Sequence, residues 1–277
     1  MPESSAVSSG EALPISDGVV GHMPRRLVRM ALITGWTGAW FVAWGTITLV
    51  TLPAPPMRRR WRAFCFAHWA RGVLLVLGVR VTLEGRPPAE GPFVLVTNHL
   101  SYLDVIVLAM VTRTRFVAKS EVRSWPVWGF LARMMGTIFI DRQRRRDTAR
   151  VSDTIEDALT QGDGVAIFPE GTSTRGSEVG PFRSSLLEAA CRSAAPVYSA
   201  GLSYRTPPED PPAHLAVCWW GDMEFGPHFW DLTGLSRIDA LVWFGSKPVR
   251  GTDRKELART LQRLVSDNFT PVVEDHA

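Results

Sequence analysis

Phe93-Val94-Leu95-Val96-Thr97-Asn98-His99-Leu100-Ser101-Tyr102-Leu103-Asp104 changes character twice within twelve residues. Phe93–Thr97 is a continuous apolar run, too short for a stable helix, which predicts a strand buried on both faces. Tyr102–Val111 is long enough for a helix and follows a polar Asn-His-Leu-Ser junction. A buried strand feeding straight into a helix is the repeating unit of an α/β fold.

The same alternation continues outward. Further strands are predicted at Val81–Glu84, Arg115–Ala118, Ile138–Asp141, Val165–Phe168, Val197–Tyr204, Leu215–Trp220 and Ala240–Phe244. Further helices are predicted at Val127–Met135, Thr148–Thr160, Phe182–Ser193 and Arg254–Asp267, the last with Asp253 as N-cap. This pattern predicts an α/β fold: a mixed, largely parallel sheet covered by helices. The chain of 277 residues is 45% hydrophobic, enough for a large core. Cys65, Cys191 and Cys218 form no C-x-x-C pair and read as reduced core residues.

Upstream of the sheet, residues 1–22 lack periodicity and read as a disordered leader. Residues 23–80 read as a membrane-associated helical segment, and residues 81–277 as the α/β domain. Met30 to Leu52 run for 23 residues without a charge, long enough for a hydrocarbon core of about 30 Å. Arginines flank this run on both sides (Arg25, Arg26 and Arg29; Arg58, Arg59, Arg60 and Arg62), so flanking charge selects no orientation. The run starts late and ends in Pro53-Ala54-Pro55-Pro56, which argues against a cleaved signal peptide. Trp61–Val79, interrupted by His68 and Arg71, reads either as an interfacial helix or as a buried helix of the following domain.

Charge is distributed unevenly. Residues 1–150 carry 20 basic and 9 acidic residues and residues 151–277 carry 11 and 18, a balance of +11 against −7. A basic front half bordering apolar sequence points to an anionic membrane surface. No zinc-finger or RNA-recognition signature accompanies it, so nucleic acid is not an expected partner.

The chemistry collects where strands end. His99 and Asp104 stand at the first strand-to-helix junction, where an imidazole can take a proton near neutral pH and a carboxylate can orient it. The same Ser101-x-x-Asp104 spacing also reads as a capping box. Asp141-Arg142 and Pro169-Glu170-Gly171-Thr172 end two further predicted strands, and ligands of open α/β sheets gather at carboxyl ends. Arg142 can fork onto a phosphate or carboxylate, or form an edge salt bridge; Glu170 can accept hydrogen bonds from hydroxyls, or cap its loop.

Taken together, these segments resemble the lysophosphatidic acid acyltransferase-like glycerolipid acyltransferases over Phe93 to Tyr204. Asn98-His99 and Asp104 match the family's N-H-x4-D block. Lys119, Pro126, Gly129, Gly136 and Phe139-Ile140-Asp141-Arg142 match its second block, Phe168-Pro169-Glu170-Gly171-Thr172 its third, and Ala195-Pro196-Val197 resembles its fourth. One departure concerns the arginine that often follows Glu-Gly-Thr and contacts the acceptor's phosphate. Here Ser173 and Thr174 intervene before Arg175, which would face the same side as Ser173 if the segment is extended and could then substitute, or could point elsewhere.

The resemblance implies a membrane-bound O-acyltransferase carrying a fatty acyl group from acyl-CoA or acyl-carrier protein to a lysolipid hydroxyl. His99 would be the general base and Asp104 its orienting carboxylate. Asn98, Arg142, Glu170, Gly171, Thr172 and Arg175 would contact substrate, and backbone N–H groups around Leu100–Tyr102 are candidates for the oxyanion. No metal or tightly held cofactor is implied, because a thioester is already activated. Lysophosphatidic acid is the family's commonest acceptor and comes first; lyso-ornithine lipid is the alternative, and a hydrolase or a catalytically silent lipid-binding protein are the remaining rivals. The expected location is the inner membrane, with the catalytic domain facing the cytoplasm, where thioester donors are made. The aromatic segment Trp219–Trp230 reads as core or membrane-interface anchors, and His228 is given no catalytic role.

Overall fold

A computed structural model describes residues 22–50, 55–89, 91–141, 145–193 and 195–273. All but the last residue of the expected leader, and Arg142, lie outside them. The elements follow in the order α1 (Met23–Val50), α2 (Pro55–Leu77), β1 (Val79–Glu84), β2 (Val94–Thr97), α3 (Leu103–Thr112), β3 (Arg115–Lys119), α4 (Trp128–Met134), β4 (Ile138–Ile140), α5 (Arg145–Thr160), β5 (Val165–Ile167), α6 (Glu188–Ser193), β6 (Val197–Arg205), α7 (Ala213–Ala216), α8 (Phe225–Leu232), β7 (Ile238–Phe244) and α9 (Arg254–Asp267).

Among the described residues the strands form one sheet of seven, in the order β1-β7-β6-β2-β5-β3-β4. From β6 to β4 all neighbours are parallel; β7 runs antiparallel to β6 and parallel to β1. All four residues of β2 are buried, as expected for a strand covered on both faces. Leu95, Phe116, Ala166, Leu202 and Val242 face one core with α2, α3 and α8. Val94, Val96, Val117, Ile138 and Ile167 face the other, with α5, α6 and α9. The chain leaves β2 towards β3 and β4 and returns on the other side with β6, so the carboxyl end of β2 opens where the winding reverses.

Two expectations need correction. Leu215–Trp220 is not a strand: the chain there forms the last part of α7 and then a turn, with Ala213, Ala216, Val217 and Cys218 buried. A short, fully buried apolar run carries no period that separates strand from helix. Second, among the described residues no helix is long and apolar enough to cross a membrane. The apolar run in α1 is interleaved with Thr34, Gly35, Thr37, Gly38, Gly45, Thr46 and Thr48, and the end of the expected span, residues 51–52, lies outside the described residues.

The arginines before that run secure α1 to the domain. Arg25 donates to the Gly234 carbonyl at 2.9 Å, and Arg29 to those of Thr233 at 3.1 Å and Leu235 at 2.6 Å. These carbonyls lie at and just beyond the end of α8, where cations complement the unpaired oxygens of a helix terminus. Burial lowers the Arg29 guanidinium from its ordinary value, with Arg25 adding to the effect. Arg26 pairs with Asp231 at 2.8 Å. Of the two readings open for Trp61–Val79, the structure gives the buried helix: Phe66, Trp69, Val73, Leu74 and Leu77 of α2 are core residues.

Candidate active site

At the end of β2 the sheet ladder is continued by a side chain. Asn98 Nδ2 donates to the Leu202 carbonyl at 3.0 Å and Oδ1 accepts the Leu202 N–H at 2.8 Å, so Asn98 pairs with β6 after its own strand has ended. Both ends of the amide are occupied and the residue is buried. That geometry positions the backbone from which His99 follows.

The next residue, His99, is held at backbone and ring. Its N–H donates to Glu170 Oε1 at 2.7 Å and its carbonyl accepts the Thr174 N–H at 3.0 Å. The imidazole stacks on Phe168, with ring centroids 4.2 Å apart and planes 23° from parallel. Nδ1 lies 2.7 Å from Asp104 Oδ2. Because an ionised carboxylate only accepts, this contact assigns the proton to Nδ1 and the lone pair to Nε2. The His99 side chain is 20% exposed and that of Asp104 is fully buried.

Asp104 sits in the first turn of α3. Its Oδ2 also accepts the N–H groups of Leu100 at 2.7 Å and Ser101 at 3.0 Å, while Oδ1 accepts the Tyr204 hydroxyl at 2.7 Å. Four donors sustain the buried charge. Ser101 Oγ accepts the Leu103 N–H at 3.3 Å. The two readings of Ser101-x-x-Asp104 are therefore one structure, in which the carboxylate closes the helix start and holds the histidine. The Leu100 and Ser101 amides, expected as oxyanion donors, are spent on Asp104.

Glu170 is buried beneath the turn that follows β5. Besides the His99 N–H, it accepts the Gly180 N–H through Oε2 at 2.9 Å. Through these two bonds Glu170 clamps the His99 backbone to the turn that carries Gly180. Desolvation pushes the Glu170 carboxyl up to about 6; the two backbone N–H groups and His99 oppose this, and Asp104 adds to it. Gly171 has φ of +80°, which suits glycine alone. Beyond it Thr172 and Arg175 are exposed, and the Arg175 charge, after desolvation, helps lower the His214 imidazole from its ordinary value. Ser173 Oγ donates to the Trp219 carbonyl, tying this turn to the segment after α7.

His99, Asp104, Asn98 and Glu170 are thus brought together, while Thr172 and Arg175 lie on the open side of the turn. Sequence reasoning assigned no role to Phe168, Gly180 or Tyr204. Phe168 lay within a quoted motif. A tyrosine at a buried strand position signals that its hydroxyl needs a partner, although nothing in the sequence points to one 100 residues away. His228 Nε2 faces the Cys218 carbonyl at 3.1 Å, and Nδ1 faces the Tyr102 hydroxyl at 2.9 Å. Desolvation lowers its pKa, and it serves as a neutral core residue. Among the described residues no group of three or more His, Cys, Asp or Glu side chains is placed to hold a metal ion.

A base poised by a carboxylate, with no Ser, Thr or Cys side chain bonded to it among the described residues, suits proton removal from a substrate hydroxyl. Comparison with known proteins agrees with that chemistry. The family model described as Acyltransferase matches residues 78–203. A lyso-ornithine lipid O-acyltransferase of Brucella abortus is 34% identical over 76% of this chain and 83% of its own length. A 1-acyl-sn-glycerol-3-phosphate acyltransferase of Neisseria meningitidis is 34% identical over 75% of this chain and 80% of its own length. The crystal structure of the 1-acyl-sn-glycerophosphate acyltransferase PlsC from Thermotoga maritima shares the fold, with a TM-score of 0.66 at 18% identity, covering 89% of this chain and 95% of that one. The chain belongs to the lysophosphatidic acid acyltransferase-like family of glycerolipid acyltransferases.

Proposed function

We propose that this acyltransferase works at a membrane surface and transfers a fatty acyl group from an acyl-CoA or acyl-carrier-protein thioester to the hydroxyl of lyso-ornithine lipid. The observation that carries the reaction is the 2.7 Å contact between His99 Nδ1 and the buried Asp104, which leaves Nε2 to receive a proton. The acceptor oxygen attacks the thioester carbonyl as Nε2 takes the hydroxyl proton. The tetrahedral intermediate then collapses, the C–S bond breaks, and the imidazolium returns the proton to the leaving thiolate.

The acceptor is argued from Ser173. Where family members often place a phosphate-binding arginine, this chain has a hydroxyl bonded to the Trp219 carbonyl. Lyso-ornithine lipid carries no phosphate, and relatives named for that acceptor in Brucella abortus and Rhizobium meliloti, 34% and 32% identical, support this order. Lysophosphatidic acid is the second reading, favoured by Asp141-Arg142 and by the Neisseria meningitidis relative.

Membrane attachment is argued from apolar exposure. Val42, Leu49 and Val50 on α1, Met57 on α2, and Val127 and Phe130 at α4 are exposed, and Phe41 contacts Phe130 at 5.3 Å between ring centroids. Exposed apolar side chains on these helices match insertion into one leaflet. Donor supply places the catalytic domain on the cytoplasmic side of the inner membrane.

Membranes containing the protein are incubated with labelled acyl-CoA or acyl-carrier protein and with each lysolipid in separate tubes. Labelled ornithine lipid supports the proposal. Phosphatidic acid alone replaces the acceptor, and label found only in free fatty acid overturns transfer in favour of hydrolysis.

A further inference from the structure

The second oxygen of Asp104 has a partner from β6, the strand beside β2. The Tyr204 hydroxyl donates to Oδ1 at 2.7 Å, while Oδ2 faces His99 Nδ1 at the same distance. Tyr204 lies on β6 and is 1% exposed. Its place is set two residues earlier, where Leu202 pairs with the Asn98 side chain through both backbone groups. One strand thus fixes the residue before the histidine and delivers a hydroxyl to the histidine's carboxylate.

We infer that Tyr204 is a positioning residue for acyl transfer, completing a His99–Asp104–Tyr204 relay in which its hydroxyl holds the carboxylate in the rotamer that faces His99 and keeps it ionised out of water. The inference builds on the general-base role of His99 and is independent of which lysolipid is the acceptor.

The chemistry of the pocket supports a donor here. A fully buried carboxylate is stable only when its lone pairs are satisfied. The Leu100 and Ser101 amides and His99 all address Oδ2, while the Tyr204 hydroxyl donates to Oδ1. Burial first, and Asp104 second, hold the Tyr204 phenol well above its ordinary value, so it stays a donor across the working range. The other titratable groups around the dyad are Tyr102 before α3, Cys218 after α7 and Glu170 after β5. Burial raises the first two, leaving them neutral, while Glu170 titrates in both the wild type and a Tyr204 variant.

Removing the hydroxyl leaves the dyad with the same negative charge and one fewer hydrogen bond. The His99–Asp104 pair then binds a proton more tightly, and the form able to accept the substrate's proton is lost at higher pH. Tyr204→Phe keeps the ring and its packing. Its kcat is expected to fall about ten- to a hundredfold, and the acid limb of kcat/KM to move up by about one pH unit. A purely structural hydroxyl would lower the melting temperature without moving that limb.

The test compares full-length wild type and Tyr204→Phe in pH–rate profiles, with whichever lysolipid turns over, and in proton NMR of the His99 Nδ1–H resonance, which needs no acceptor. A raised acid limb together with a shifted Nδ1–H resonance supports the relay. An unmoved limb, an unmoved resonance and kcat within twofold of wild type overturn it. Should Tyr204→Phe fail to fold, difluorotyrosine at 204, a stronger donor of nearly the same shape, is expected to move the limb to lower pH; no movement overturns the relay equally. Absence of turnover with every lysolipid, with the resonance still displaced, would count against the acyltransfer assay and not against the relay.

Discussion

The Oε1 oxygen of Glu170 accepts the backbone N–H of His99 at 2.7 Å, so the turn after one strand sets the position of the base that follows its neighbour. Glu170→Gln keeps one acceptor oxygen but turns an N–H₂ group towards the Gly180 N–H. Two donors then face each other, and kcat is expected to fall about tenfold or more with the fold retained. Wild-type kcat in a folded variant would contradict the clamp.

The same carboxylate gives a signed pH dependence. Its folded pKa is raised from 4.5 to about 6, so the folded protein binds the proton more tightly than the unfolded chain. The resulting stabilisation is present below pH 4.5 and is lost as pH rises through 6. The loss amounts to about 2 kcal/mol. Denaturant unfolding of wild type and Glu170→Gln across this window should therefore show the wild type losing ground to the variant with rising pH; a constant difference would contradict the shift.

Gly180 is required by approach rather than by backbone conformation. A Cβ there would lie 2.7 Å from Glu170 Oε2, so Gly180→Ala displaces the carboxylate that holds His99. Activity is expected to fall more than thermal stability does, measured as kcat and melting temperature on the same preparation.

Asn98→Asp replaces the N–H₂ that donates to Leu202 with an oxygen, leaving a buried charge beside a carbonyl. A loss of about 3 kcal/mol or more in unfolding free energy is expected. Near wild-type stability would show that the ladder does not depend on this side chain.

Much of this arrangement was legible before the structure. Val94–Thr97 and Val165–Ile167 are strands because their short, Val- and Ile-rich runs are buried on both sheet faces, and the Asn-His and Glu-Gly-Thr junctions mark their carboxyl ends. The direction of hydrogen bonds was not legible. Nothing in the spacing tells that Asn98 and Glu170 bond backbone amides and carbonyls, or that Tyr204 reaches Asp104. Helix α8 was also missed, although Phe225, Phe229 and Leu232 recur at helical spacing; Phe225 meets Tyr102, and Phe229 meets Trp128, edge to face in an aromatic cluster that reads equally as core or interface anchors. Its carbonyl end is what Arg25 and Arg29 of α1 grip, an intramolecular role for the upstream arginines that the charge pattern alone does not show.

Leu49 and Val50 are exposed at the end of α1. Replacing both by glutamate should weaken binding to anionic vesicles by about tenfold or more, read by co-flotation, while leaving the melting temperature of the domain unchanged. Undiminished flotation would contradict attachment through this end of α1.

The central claim is that His99 is the base for acyl transfer, and the most direct measurement is turnover of purified His99→Ala beside wild type, with melting temperature and vesicle binding recorded on both. The account predicts a loss of transfer of about a hundredfold or more, with stability and binding preserved. Transfer at close to the wild-type rate by a folded His99→Ala protein would contradict it.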